Sequence, residues 1–208
     1  MTPLQSFHSL VLPSAIGCPV PTLNQAILSA CIDFCERSLI YREKLDSAYT
    51  SINVADVELD LPSNTRVVKV MQVSLDGSPI DPAGEDDFLG INPNTNRPPS
   101  KPSTFVYMPN GTLSFYPIPD AAYSVQAYVA LKPSRSATSI DDRLFEDWAE
   151  CIASGALYRL LTIPSSDWAN AVLAKVHYDA FTAGVNKALV ESRREKTRAQ
   201  ERIQPVWI

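Results

Sequence analysis

Residues 144–181 read LFEDWAECIASGALYRLLTIPSSDWANAVLAKVHYDAF. Two helical patterns meet here at a stop. In the first, Leu144, Phe145, Trp148, Cys151, Ile152, Ala156, Leu157, Leu160 and Leu161 leave almost no polar side, which predicts the most buried helix of the chain. It is expected to open at Ser139, with Asp142 three residues on as its capping partner. Pro164 ends it, because proline lacks the amide a helix needs and its ring clashes with the preceding turn. Ser165 or Ser166 caps the next helix, in which Ala169, Val172, Leu173, Val176, Ala180, Ala183 and Gly184 recur as an apolar stripe. No breaker follows until Pro205, so this helix is expected to continue past Glu195.

An earlier helix has the same character. Leu23, Ala26, Ile27, Ala30, Cys31, Phe34 and Cys35 recur at spacings of three and four up to Ser38, and Thr22 with Gln25 reads as a capping box. Between these ends the period changes to two. Ile52 and Val54, then Val57, Leu59 and Leu61, predict a strand bulged at Ala55–Asp56. Val67, Met71, Val73 and Leu75 predict a second strand, up to the turn signal Asp76-Gly77. Phe105 and Tyr107 before Asn110-Gly111, with Leu113 and Phe115 after it, predict a hairpin with a type I′ turn. Tyr123, Val125, Ala127, Val129 and Leu131 complete the set. Ten of the 17 prolines lie between Pro79 and Pro133, which keeps helices out of the middle of the chain. Asp81 to Ser103 has no periodic pattern and reads as a long loop, of the length that carries function or stays disordered.

The expected fold is therefore α+β: a helical bundle of one N-terminal and two C-terminal helices, an inserted small antiparallel β module, and an extended C-terminal tail. The domain plan is residues 1–48 for the N-terminal segment and first helix, 49–133 for the β module with its loop 81–103, 134–192 for the two bundle helices, and 193–208 for a C-terminal arm.

At 208 residues, 45% hydrophobic and 20% charged, the chain has the balance of a globular protein with a core that needs no metal or disulfide staple. No apolar run approaches a membrane span and the N-terminus lacks a signal-peptide pattern, which predicts a protein made in the cytoplasm with reduced cysteines and no membrane partner. The net charge of −5 hides an asymmetry. From Glu191 onward five basic residues face three acidic ones, giving +2 against −7 for the remainder. The chain then ends in Val206-Trp207-Ile208, an apolar terminus of a kind that something usually ties down.

Chemistry for catalysis is sparse. There is no phosphate-cradling glycine loop, nucleophile elbow, His-Glu-x-x-His zinc motif or dinucleotide fingerprint. His177, between Leu173 and Phe181, reads as a histidine at the core edge before it reads as a general base, and His8 has no nameable partner. Cys31 and Cys35 share a helix face, but Cys18 and Cys151 have no neighbouring Cys or His, so buried packing outweighs a zinc site. Glu85, Asp86 and Asp87 read as a solvated turn, and Asp141 with Asp142 as a helix cap. No catalytic, cofactor or metal residue is expected. The segment Arg193–Arg202 is interleaved with Glu195 and Glu201, which favours a solvated or protein-docking face over phosphate binding. A small nucleic-acid-binding protein using this basic segment is the alternative function, and an enzyme working near His177 is a third.

The blocks ILSACIDFCERS (27–38), SLDGSPI (74–80), NGTLSFYPIPDAAYSVQAYVALKPS (110–134) and the opening stretch together resemble the head-to-tail connector, or adaptor, proteins of tailed bacteriophages, over residues 20 to 190. The resemblance implies a homo-oligomeric ring of about twelve subunits beneath the portal, in the neck of the virion. Its partners would be the portal protein, a tail or nozzle protein, and genomic DNA passing through without sequence-specific binding. It further implies that the C-terminal arm inserts into the portal, with Arg193, Arg194, Arg198 and Arg202 facing acidic groups and Val206, Trp207 and Ile208 as the anchor.

Overall fold

The computed structural model describes residues 1–84, 98–108, 111–164 and 166–194. They divide into two compact units, Met1–Tyr41 with Lys132–Ile208, and Arg42–Leu131.

The first unit is built on helices. Strand β1 (Thr2–Pro3) leads through a short 3-10 turn into α1 (His8–Val11) and a second 3-10 turn, Leu12–Ser14. Phe7, Val11 and Ala15 are fully buried. The N-terminal segment is thus part of the core, and His8, for which the sequence named no partner, has its Nε2 2.7 Å from Asn24 Oδ1. Helix α2 (Val20–Ser38) buries every residue of its expected stripe, from Leu23 to Cys35. It begins two residues before the expected cap. Pro19 is the N-cap and Pro21 stands in the first turn, where its missing amide costs nothing, so Thr22 does not cap the helix. At the other end Leu39 turns left-handed at φ 51°, and the Ser38 hydroxyl donates to Phe34 O at 2.6 Å.

Helix α3 (Asp142–Leu161) starts later than expected. Ser139 lies in strand β10 (Ser139–Ile140), antiparallel to β1, and Asp141 is the true cap, accepting from the Arg143 amide at 2.9 Å. Trp148 departs from helical geometry at φ −134°, which kinks α3 where its indole meets Phe34 at 5.3 Å between ring centres. Helix α4 (Ala171–Arg194) begins after Asn170, whose Oδ1 accepts from the Leu173 amide. Phe181 is fully buried against α3 beside Gly155, where a Cβ would lie 2.7 Å from the phenyl ring. Gly184 is constrained in the same way by Cys151. These two glycines let α3 and α4 approach closely.

The second unit overturns the expectation of a helical bundle carrying a small antiparallel module. Its strands join an eight-stranded mixed sheet, against four α-helices among the described residues. The strands are β2 (Arg42–Lys44), β3 (Ala48–Tyr49), β4 (Asp56–Glu58), β5 (Thr65–Leu75), β6 (Ser78–Pro82), β7 (Thr104–Tyr107), β8 (Thr112–Tyr116) and β9 (Ser124–Pro133). Their order is β2-β9-β5-β6-β7-β8-β4, with β3 also on β9. β2 and β3 run antiparallel to β9, β5 to β6, β7 to β8 and β8 to β4, whereas β6 and β7 run parallel, with Asp81 opposite Thr104. Strands β2, β3 and β6 were invisible to periodicity because they are two to five residues long and β6 carries Pro79 and Pro82.

Two turns show how local chemistry sets register. Asp76 (φ 48°) and Gly77 (φ 79°) both have positive φ between paired Leu75 and Ser78, the requirement of a type I′ hairpin. At the other hairpin Met108 and Thr112 are joined by a 2.9 Å hydrogen bond and Tyr107 faces Leu113. Three residues stand between Met108 and Thr112, one more than a type I′ turn, with Gly111 left-handed at φ 94°. The predicted bulged strand over 52–61 is not one strand. A turn at Ser51–Val54, with Asn53 at φ 64°, separates β3 on β9 from β4 on β8, and leaves Ile52 and Val54 exposed.

Candidate functional site

The segment singled out by charge begins at the end of α4. Ser192 is buried there, its hydroxyl 2.8 Å from both Ser38 O and Leu189 O. That contact fixes the last turn of α4 against the end of α2. Arg193 and Arg194 follow directly and are exposed. Arg198, Arg202, Val206, Trp207 and Ile208 lie outside the described residues, as do Glu85, Asp86 and Asp87 of the long loop. The structure therefore places two of the seven proposed docking residues, side by side in the last described turn of α4.

The residues weighed for chemistry are buried or serve as supports. His177 is half-buried, and desolvation lowers its imidazole pKa, so the ring is neutral at pH 7. Cys31 and Cys35 are fully buried on α2. The Cys35 thiol is pushed well up by its hydrogen bond to Cys31 and by burial. Burial raises the Cys151 thiol to about 11. Cys35 and Cys151 are thus poor nucleophiles, and Cys31 is fully buried. Asp141 feels burial, which raises its pKa, but its bonds to the Arg143 side chain and amide prevail and hold it below the ordinary carboxylate value. Asp142 is lowered by hydrogen bonds from the terminal ammonium at 2.8 Å and from Thr2 at 2.7 Å. Both carboxylates fasten the start of α3. Among the described residues no group of three or more His, Cys, Asp or Glu could hold a metal, and no helix is long and apolar enough to cross a membrane.

Surface chemistry is a different matter. Of the stripe expected to pack α4, Gly184 lies against Cys151 and Leu173 is half-buried, but most of the rest faces outward. Val172 is 78% exposed and Val176 57%, and Ala180 and Ala183 are exposed with them. The packing face is instead Ala174, Phe181, Val185, Ala188 and Ser192. The expected stripe passed over the periodicity of Ala174, Phe181, Val185 and Ala188, which is the one the core takes up. Beside α4 lies a hollow of about 540 Å³, with Leu10, Phe145 and Trp148 among its walls and Glu146, Asp147 and Glu150 around it.

The described residues thus combine a buried core with exposed apolar and charged helix faces, and show no cluster for metal chemistry. Comparison with known proteins supplies the class: residues 14–205 match a family of bacteriophage head-to-tail adaptors, which are structural proteins. The chain belongs to the SU10 adaptor protein family. No curated protein matches it significantly.

Proposed function

We propose that the chain forms a homo-oligomeric ring of about twelve subunits beneath the portal, in the neck of the virion. This ring closes the filled head, offers a platform to a tail or nozzle protein, and leaves a channel through which genomic DNA passes without sequence-specific binding. The C-terminal arm docks into the portal. Arg193, Arg194, Arg198 and Arg202 pair with acidic portal groups, and Val206, Trp207 and Ile208 are the anchor, since a buried tryptophan contributes a large area with few rotatable bonds.

The family match over residues 14–205 is the observation that carries this reading. The Ser192–Ser38 hydrogen bond supports it, because a docking segment that follows a fixed part of a helix loses less entropy than one that follows a loose segment.

The test mixes purified chain with the matching portal ring and images the product. Full-length protein should decorate the portal, and protein cut after Glu201 should fail to attach. Unimpaired attachment by the cut protein would overturn arm docking. Tight DNA binding by the full-length chain, weakening steeply with salt and lost in the cut form, would favour the nucleic-acid reading instead.

A further inference from the structure

We draw no further inference here: the strongest candidate, the exposed apolar face of α4 that carries Val172, Val176, Ala180 and Ala183, has nothing in the structure to show what covers it, because Lys187 of the same helix already lines the nearby hollow over the Trp148 ring and Lys175 is paired with Asp179.

Discussion

Single residues decide how closely the helices meet. Gly155 sits where any Cβ would press into the Phe181 ring. Gly155→Ala should therefore destabilise the chain by about 1–3 kcal/mol through overpacking, although alanine is the better helix former. Chemical denaturation checks this, and an unchanged or raised midpoint would show that the ring can move aside. Arg159 is the second case. Its guanidinium reaches Asp33 at 2.8 Å and Gly155 O at 2.6 Å while lying over the Tyr158 ring, 4.5 Å from its centre. One side chain so joins α2 to α3, where a lysine could not span the same partners. His177 supplies a pH signature. Its folded-state pKa is lowered by desolvation, so the unfolded chain binds the proton more readily. Stability is then fully present above the ordinary value of 6.5 and declines as pH falls through it. Melting temperatures from pH 8 to pH 5 should show this slope, and His177→Gln should flatten it.

At the scale of elements, α4 separates packing from display. Phe181→Ala should cost about 3–5 kcal/mol, the range for emptying a fully buried aromatic site. Val176→Ser, on the opposite face of the same helix, should change monomer stability by no more than about 0.5 kcal/mol. Parallel denaturation curves of the two variants test the assignment of faces directly; equal losses would show that the Val172–Val176 stripe packs within the chain. The first hairpin gives an element-level test in the sheet. Gly77 needs φ 79° beside Asp76 at 48°, a conformation that β-branched residues resist. Gly77→Val should lose about 1–3 kcal/mol and loosen the β5–β6 pairing, visible as faster amide exchange at Val73 and Leu75.

For the whole molecule, acid acts at the start of α3 as well as at His177. Asp141 and Asp142 both titrate below the ordinary carboxylate value because both accept hydrogen bonds at the start of α3. A lowered carboxylate pKa means that its contribution is complete above the unfolded value near 3.8 and is lost as pH falls through the folded value. Thermal stability should drop below about pH 4, and Asp141→Asn should reduce that drop while costing about 1 kcal/mol at pH 7 through the weakened cap. Surface charge governs association as well. In the proposed ring and portal complex, Arg193 and Arg194 of a chain with net charge −5 would face acidic groups, so added salt should weaken assembly more than it weakens folding.

The sequence by itself determined the three long helices to within a few residues at their starts, the hairpin around Asn110-Gly111 though not its turn type, the turn at Asp76-Gly77, and the family resemblance. A stripe such as Leu23 to Cys35 has one way to be buried, and Asp76-Gly77 has one turn type that suits it. Repeated local signals of this kind need no knowledge of the rest of the chain. It also located the basic, tryptophan-ended segment, because charge is additive and legible residue by residue. What only the tertiary structure decided is pairing and rank. Short strands such as Arg42–Lys44 and the proline-bearing Ser78–Pro82 exist because a neighbour supplies their hydrogen bonds, so an apparent insert became an eight-stranded mixed sheet. The choice between two apolar faces on α4 went to the one carrying Phe181, since a phenyl ring fitted over Gly155 buries more than a valine can. The valines and alanines left outside are as apolar as those within, and only the folded core shows which of them stay exposed.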